Sequence, residues 1–393
     1  MTLAVVVAGV GMIPFVKPGA SATYVDMGAE AARLALADAR IDYAQVQQAY
    51  AGWVYADSTA GQAALYRVGL TGVPIVNVNN NCSTGSTALL LARQAVAAGA
   101  AECVLALGFE QMSPGAIGVV FPDRPGPLDA FLAVADARFA EAADVPMAIR
   151  LFGGAGHEYQ QRYGARDATF AKVRAKASRH ARHNDRAIFR KEVTVEEVLT
   201  SPAVFLGLTR LQCCPPTCGA AAAVVCSDRF AARHGLRSDV RIRAQAMTTD
   251  RATSFDGSLI RAVGADMTRE AAAMVYEAAG VGPQEVDVVE LHDCFTTNEI
   301  LSYEALGLCG DGEAEQFIEN GDNTYGGRVV TNPSGGLLAK GHPLGATGLA
   351  QCLELVTQLR GAAGARQVEG ARLALQHNIG LGGACVVTLY EGT

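Results

Sequence analysis

Apolar and polar positions follow two alternating rhythms along this chain. Segments with apolar residues at helical spacing give way to short, continuous apolar runs, and the combination recurs. Asp26-Met27-Gly28-Ala29-Glu30-Ala31-Ala32 opens a helical pattern that leads to an apolar run at residues 46–54. Asp266-Met267-Thr268-Arg269-Glu270-Ala271-Ala272 repeats that opening and leads to a run at 286–291. A second pair follows in the same order. Cys82-Ser83-Thr84-Gly85-Ser86-Thr87 and His342-Pro343-Leu344-Gly345-Ala346-Thr347 each precede a periodic segment, stopped by Gly99 and Gly361 respectively. A glycine just past the last periodic residue is the expected helix stop. The pattern then predicts short buried strands at 103–107 and 372–375. One α/β unit is used twice, and strands alternating with helices indicate a layered α/β architecture.

The stretch between the copies has a different character. From Arg162 to Lys191 ten Lys and Arg face only Asp167 and Asp185 among acidic residues, with His180 and His183 inside the run. It reads either as a solvated helical face or as a local site for an anionic group such as a nucleotide or phosphate. Too few aromatics interleave for it to stack nucleic-acid bases. The apolar run at 220–225 then returns to the first core as a buried strand. The expected organisation is a first core half at 1–118 and an inserted loop domain at 119–207. A return to the first half follows at 208–236, and the second half occupies 237–393.

Composition narrows the function classes. Half of the 393 residues are hydrophobic and 18% are charged, enough to bury a large core, so global disorder is excluded. The length exceeds one ordinary core. Forty-three glycines without a Gly/Ser tract fit many tight strand-to-helix turns. A net charge of −7 argues against a nucleic-acid binder. No apolar run approaches the ~18 residues of a membrane span. No Lys or Arg precedes the apolar N-terminal run, which argues against a secretory signal. Glu391-Gly392-Thr393 is not a peroxisomal Ser-Lys-Leu type tail. Ten scattered cysteines lack the density of a disulfide framework, so a reducing, cytoplasmic compartment is expected.

Four places could carry chemistry. Cys82 follows the polar turn Asn79-Asn80-Asn81 and immediately precedes a helix, where backbone N–H groups would lower a thiol pKa from about 8.5. A packing cysteine is the plain alternative. His342 occupies the equivalent turn of the second copy, where it could cap, pack or serve as a base. If the two turns face each other across a shared groove, one presents a nucleophile and the other a base. His292-Asp293-Cys294-Phe295 ends the predicted strand at 286–291, at the strand end where α/β sites gather. Alternation would put His292 and Cys294 on one side if the strand persists there; a capping Asp with a structural Cys is the alternative. His377-Asn378-Ile379-Gly380-Leu381-Gly382-Gly383 is a turn, or a source of backbone N–H groups for an oxyanion. Two other readings fail. Gly9-Val10-Gly11 lacks a glycine at position 14, which is Pro14, so it is a poor dinucleotide fingerprint. Cys213, Cys214 and Cys218 have no Cys-x-x-Cys or following His at zinc spacing, so no metal is expected.

With these residues in hand, the chain resembles the thiolase superfamily. It resembles in particular the sterol-carrier-protein-type branch, typified by the thiolase domain of sterol carrier protein X. The resemblance rests on Asn79-Asn80-Asn81-Cys82, Glu290-Leu291-His292-Asp293-Cys294-Phe295 and Gly321-Asp322-Asn323-Thr324-Tyr325-Gly326-Gly327. It continues through Asn332-Pro333-Ser334-Gly335-Gly336, Gly341-His342-Pro343-Leu344-Gly345-Ala346-Thr347-Gly348 and His377-Asn378-Ile379-Gly380. It implies a five-layer αβαβα fold of two similar βαβαβ-rich halves with an inserted loop domain. It also implies acyl-CoA and coenzyme A as substrates, no permanently bound cofactor, the basic insert near the nucleotide end of coenzyme A, and a homodimer or homotetramer. Conventional thiolases carry a second Cys where this chain has Asn378; in this branch Cys294 is taken to supply that role. They also carry Asn-Glu where this chain has His292-Asp293. An acidic residue is usual where this chain has Cys218.

The activity so implied is cleavage of a 3-oxoacyl-CoA by coenzyme A, in fatty-acid or sterol side-chain degradation. His342 would activate Cys82 and Cys294 would act as acid and base. His292 and His342 would face the enolate, and the N–H groups of Cys82 and Gly380 would hold the tetrahedral oxyanion. Phe295 and Cys214 would line the pantetheine channel. Two other functions are compatible with such a chain. One is a retro-aldolase acting on steroid CoA esters with an auxiliary partner protein; the other is a non-catalytic acyl-CoA or lipid carrier. The presence of Cys82, His342 and Cys294 together favours the thiolase.

Overall fold

The computed structural model describes residues 3–115 and 118–393; Met1, Thr2 and two residues just before the expected 118/119 boundary lie outside it. The chain opens with β1 (Val5–Met12), α1 (Tyr24–Ala39), β2 (Gln48–Gly52), α2 (Ala60–Tyr66), β3 (Ile75–Val78), α3 (Thr84–Ala97) and β4 (Cys103–Glu110). A helical region follows, with α4 (Asp129–Phe139), α5 (Met147–Tyr163), α6 (Asp167–Ala181), α7 (Val195–Leu199) and the small hairpin β5 (Ala203–Phe205) and β6 (Leu208–Thr209). The chain then returns with β7 (Gly219–Ser227) and α8 (Asp228–His234). The second copy contains β8 (Val240–Thr248), α9 (Leu259–Ala262), α10 (Ala265–Ala279), β9 (Val288–Glu290), α11 (Thr296–Ala305) and α12 (Ala314–Glu319). It ends with β10 (Val330–Thr331), α13 (Gly336–Ala339), α14 (Thr347–Leu359), β11 (Leu373–Gly380) and β12 (Ala384–Gly392).

Strand order makes the duplication explicit. The first half reads β3-β2-β4-β7-β1 and the second β10-β9-β11-β12-β8. Directions match as well. β2 is parallel to β3 and β4, while β7 is antiparallel to β4 and β1. β9 is parallel to β10 and β11, while β12 is antiparallel to β11 and β8. The halves meet where β1 lies antiparallel to β8, with Val6 opposite Arg241.

Burial separates the layers. α14 buries 11 of its 13 residues and α3 buries 10 of 14. α1 buries 8 of 16 and α10 buries 6 of 15. A helix apolar all round belongs between layers, and one buried along a single stripe covers an outer face. Leu89, Ala92, Leu349 and Leu353 of the central helices share one core with Val104 and Ala223 of the first half and Val288 and Ala374 of the second. Ala31 and Ala35 of α1 pack on the first half beside Leu105 and Val224. Ala271 and Val275 of α10 pack on the second beside Val387 and Leu389. The order is therefore αβαβα, as expected. No helix among the described residues is long and apolar enough to cross a membrane.

Local differences have physical causes. The strands expected at 103–107 and 372–375 run on to Glu110 and Gly380, because both edges remain buried there. The run at 286–291 is extended only over Val288–Glu290. Gly9 and Gly11 serve packing rather than a nucleotide: a Cβ on either would collide with the backbone of α1. The basic stretch is not one solvated face. Lys176 is buried in an ion pair with Glu299, and Arg174 and His180 are buried too. Arg166 and Lys172 face outward but pair with Glu315 and Glu319. Three of the ten basic residues, Arg166, Lys172 and Lys176, thus tie α6 and its start to α11 and α12.

The two matched hexapeptides meet where the central helices begin. Gly85 and Gly345 hold the same place in each, and a Cβ on Gly85 would lie 2.7 Å from the Gly345 carbonyl oxygen. Backbone on both sides leaves little room to yield. Gly85→Ala is expected to lower stability by about 3 kcal/mol through overpacking. A shift of the denaturant midpoint measures this; an unchanged midpoint would show that the contact relaxes.

Candidate active site

Both hexapeptides sit at turns clamped by long-range hydrogen bonds. Asn81, in the left-handed region at φ 50°, donates from Nδ2 to the Leu381 carbonyl at 2.9 Å. The Asn80 N–H donates to Thr84 Oγ1 at 2.8 Å and closes the entry to α3. A Cβ on Gly380 would strike the Asn80 carbonyl and sit 3.1 Å from the Ser83 nitrogen. Glycine there lets the end of β11 lie against the turn that carries Cys82.

The turn carrying His342 is held by a buried polar scaffold. Glu290 accepts from the Ser334 N–H at 3.0 Å and Oγ at 2.8 Å, and from Lys340 Nζ at 3.2 Å. Asp293 accepts from the Leu337 N–H at 2.7 Å and the Leu338 N–H at 3.3 Å, at the start of α13. It is thus the capping Asp of the plainer reading, and it fixes the short helix that leads into His342. The His342 N–H donates to Thr217 Oγ1 at 3.1 Å.

Side-chain bonding sets the protonation of the His342 ring. Thr347 Oγ1 donates to the Pro343 carbonyl at 2.9 Å, so its hydroxyl proton is committed. Nδ1 of His342, 2.7 Å from the same oxygen, must therefore donate. Nε2 keeps its lone pair, is buried, and has no hydrogen-bond partner among the described residues. The ring lies 5.0 Å from that of His292, edge to face at 83°. Cys82 Sγ and one ring nitrogen from each histidine lie within 4.8 Å of one another. These three buried groups also have the spacing of metal ligands, although Nδ1 of His292 is already 2.9 Å from Asn378 Nδ2. Cys213, Cys214 and Cys218 make no such cluster: Cys213 bonds the Thr209 carbonyl and Cys218 the Met112 carbonyl.

The remaining predicted residues gather nearby. Cys294 and Cys214 are joined by a bond from the Cys214 N–H to the Cys294 carbonyl at 2.9 Å. Negative charge on Cys82 would raise the pKa of either thiol. His292 and Cys294 reach this neighbourhood without the strand continuation expected for them. Phe295 is buried and stacks on Phe152 of α5 at 4.7 Å.

Electrostatics overturns one expectation. The Cys82 thiol is not lowered by its helix N-terminus. Burial, and then the Glu110 carboxylate, push it up to about 12. Desolvation of the thiolate outweighs the partial charge of the helix end and its own N–H. Burial also pulls His342 down to about 3 and holds His292 well below the ordinary histidine range. Cys294 is raised by burial and by nearby Cys214 and Cys82. At neutral pH the site rests as neutral thiols beside neutral imidazoles.

Glu110 is the residue that the pattern of the sequence did not single out. It ends β4, accepts from the N–H groups of Val54, Tyr55 and Gly345, and is raised by burial to about 7. One carboxylate thus pins loops from both halves beside Cys82. Its only signal in the sequence is an acid closing an apolar strand.

Comparison with known proteins places the chain in a family. The thiolase N-terminal domain family matches residues 5–229, and the thiolase C-terminal domain-like family matches 256–390. Sterol carrier protein 2 of Oryctolagus cuniculus is 55% identical over 392 residues, spanning 98% of this chain and 72% of that protein. An Ltp2-ChsH2(DUF35) aldolase has a similar fold at TM-score 0.83 and 21% identity, covering 99% of this chain and 98% of that one. Human mitochondrial 3-ketoacyl-CoA thiolase in complex with CoA superposes at TM-score 0.75 and 19% identity, over 100% and 98% of the two chains. The chain belongs to the thiolase superfamily, of acyltransferase type, in the branch of sterol carrier protein 2.

Proposed function

We propose that this protein is a 3-oxoacyl-CoA thiolase that works through an acyl-enzyme on Cys82. The observation that carries the proposal is the buried triangle of Cys82, His342 and His292, with His342 held in the tautomer that accepts a proton. His342 Nε2 takes the Cys82 proton as sulfur attacks the 3-keto carbon. The N–H groups of Cys82 and Gly380 hold the resulting oxyanion. That intermediate collapses, the bond between the second and third acyl carbons breaks, and acetyl-CoA or propionyl-CoA leaves as its enolate. The imidazoles of His342 and His292 face the enolate oxygen, and Cys294 protonates its carbon. The Cys294 thiolate then takes the proton of the incoming coenzyme A. The coenzyme A sulfur attacks the acyl-enzyme, and His342 returns its proton to the departing Cys82.

Cys214 and Phe295 line the path to this site. Residues 119–207 form the coenzyme A side, for which Arg179, Arg190 and Lys191 remain exposed. Ten free cysteines suit a reducing compartment, and a homodimer or homotetramer is the assembly we expect. The test is coenzyme A-dependent cleavage of a short and a branched long-chain 3-oxoacyl-CoA. Cleavage of either supports the thiolase. A folded protein that binds the esters and cleaves neither contradicts it, and turns attention to retro-aldol cleavage with an added partner protein, or to a carrier.

A further inference from the structure

We infer that Gln376, Ser86 and Asn378 form a relay of hydrogen bonds that fixes the His292 proton on Nε2, making that ring a donor where His342 is an acceptor. The relay starts from a group that can only accept. The Gly348 carbonyl lies 2.6 Å from Gln376 Nε2, so that atom must be the amide nitrogen. The other amide atom, Oε1, accepts from the Tyr390 hydroxyl. A second anchor agrees: Gln351 donates to the His377 carbonyl at 3.1 Å, leaving its Oε1 toward Gln376 Nε2.

The remaining direction follows bond by bond. Gln376 Nε2 donates to Ser86 Oγ at 2.8 Å. Ser86 Oγ lies 2.8 Å from Asn378 Oδ1 and has no other acceptor among the described residues, so its proton goes there. Asn378 therefore turns its amide nitrogen to His292 Nδ1, at 2.9 Å. A nitrogen that accepts from an amide carries no proton, so the neutral His292 ring carries its proton on Nε2. Burial keeps the ring neutral. Space for the relay comes from Gly348, where a Cβ would collide with Ser86 and come 2.7 Å from Asn378 Oδ1.

The two histidines that face Cys82 thus enter the reaction in opposite tautomers. His342 removes the thiol proton, and His292 offers N–H to the developing enolate oxygen without first gaining a proton. Asn378, Ser86 and Gln376 touch no reacting atom; they are positioning residues. The consequence for catalysis rests on the thiolase reading, whereas the tautomer itself does not.

Long-range 1H–15N correlation on protein labelled with 15N-histidine, without ligand, reads the tautomer. The His292 signals are identified by their loss in His292→Gln. Wild type is expected to show Nε2–H and a bare Nδ1. Asn378→Asp places a carboxylate against Nδ1 and should move the proton to it, or protonate both nitrogens. Its kcat should fall about 10- to 100-fold with KM little changed, as for outer-shell partners of a functional histidine. His292 found with its proton on Nδ1 in wild type overturns the inference, and this needs no variant to fold. A folded Asn378→Asp with wild-type tautomer and wild-type kcat also overturns it. Absence of thiolase turnover with the Nε2–H tautomer in place would remove the assigned reaction and leave the relay standing.

Discussion

Replacing Cys82 with alanine should lower coenzyme A-dependent cleavage of a 3-oxoacyl-CoA by about 10⁴-fold or more, the scale of losing a covalent nucleophile. Binding of the ester should persist, because the turn is set by Asn80, Asn81 and Gly380 rather than by the thiol. The alanine is smaller than the sulfur it replaces, so the buried turn accepts it without strain. Initial-rate assays beside calorimetric binding separate the two effects. Turnover within tenfold of wild type would remove Cys82 from the chemistry, whatever the fold.

His342→Asn should cost about 10³-fold, within the range for loss of a general base. It should also change the pH dependence. With the thiol pushed up to about 12, only about one Cys82 in 10⁵ is ionised at pH 7, so wild type relies on proton transfer at the moment of attack. The variant must use the pre-formed thiolate. Far below the thiol pKa that fraction rises about tenfold per pH unit, and the rate should rise with it between about pH 8 and 9.5. Glu110, raised to about 7, is ionised throughout that window and adds no step of its own. Wild type should stay nearly flat, since His342, pulled down to about 3, is an unprotonated base across the whole window. A variant as flat as wild type would show that another group takes the proton.

How much of this could be read from sequence depends on range. The duplication was legible because each copy carries its own helix opening, hexapeptide and glycine stop, all local signals. The matched turns at Cys82 and His342 therefore came out as a facing pair, and the halves indeed share strand order and direction. What failed depended on surroundings. A cysteine before a helix looks activated in one dimension; burial and Glu110 reverse the sign. A run of Lys and Arg looks solvated until Glu299, far along the chain, comes to lie against Lys176. Strand alternation sets His292 and Cys294 on one side only if the strand persists, and it stops at Glu290. Ser86 and Asn378 sit 292 positions apart, and neither shows in sequence that it shares a hydrogen bond. Local patterning thus singled out the groups proposed to react, while their protonation is set by contacts that only the fold creates.

The central claim is an acyl group carried by Cys82. Brief mixing with a 3-oxoacyl-CoA in the absence of free coenzyme A, followed by acid quench and mass spectrometry of the intact protein and its peptides, tests it directly. A mass increase equal to the shortened acyl group is expected, located on the peptide containing Cys82, absent from Cys82→Ala, and discharged when coenzyme A is added. An unmodified protein that nevertheless releases acetyl-CoA or propionyl-CoA, or an adduct on Cys294 in place of Cys82, would contradict it.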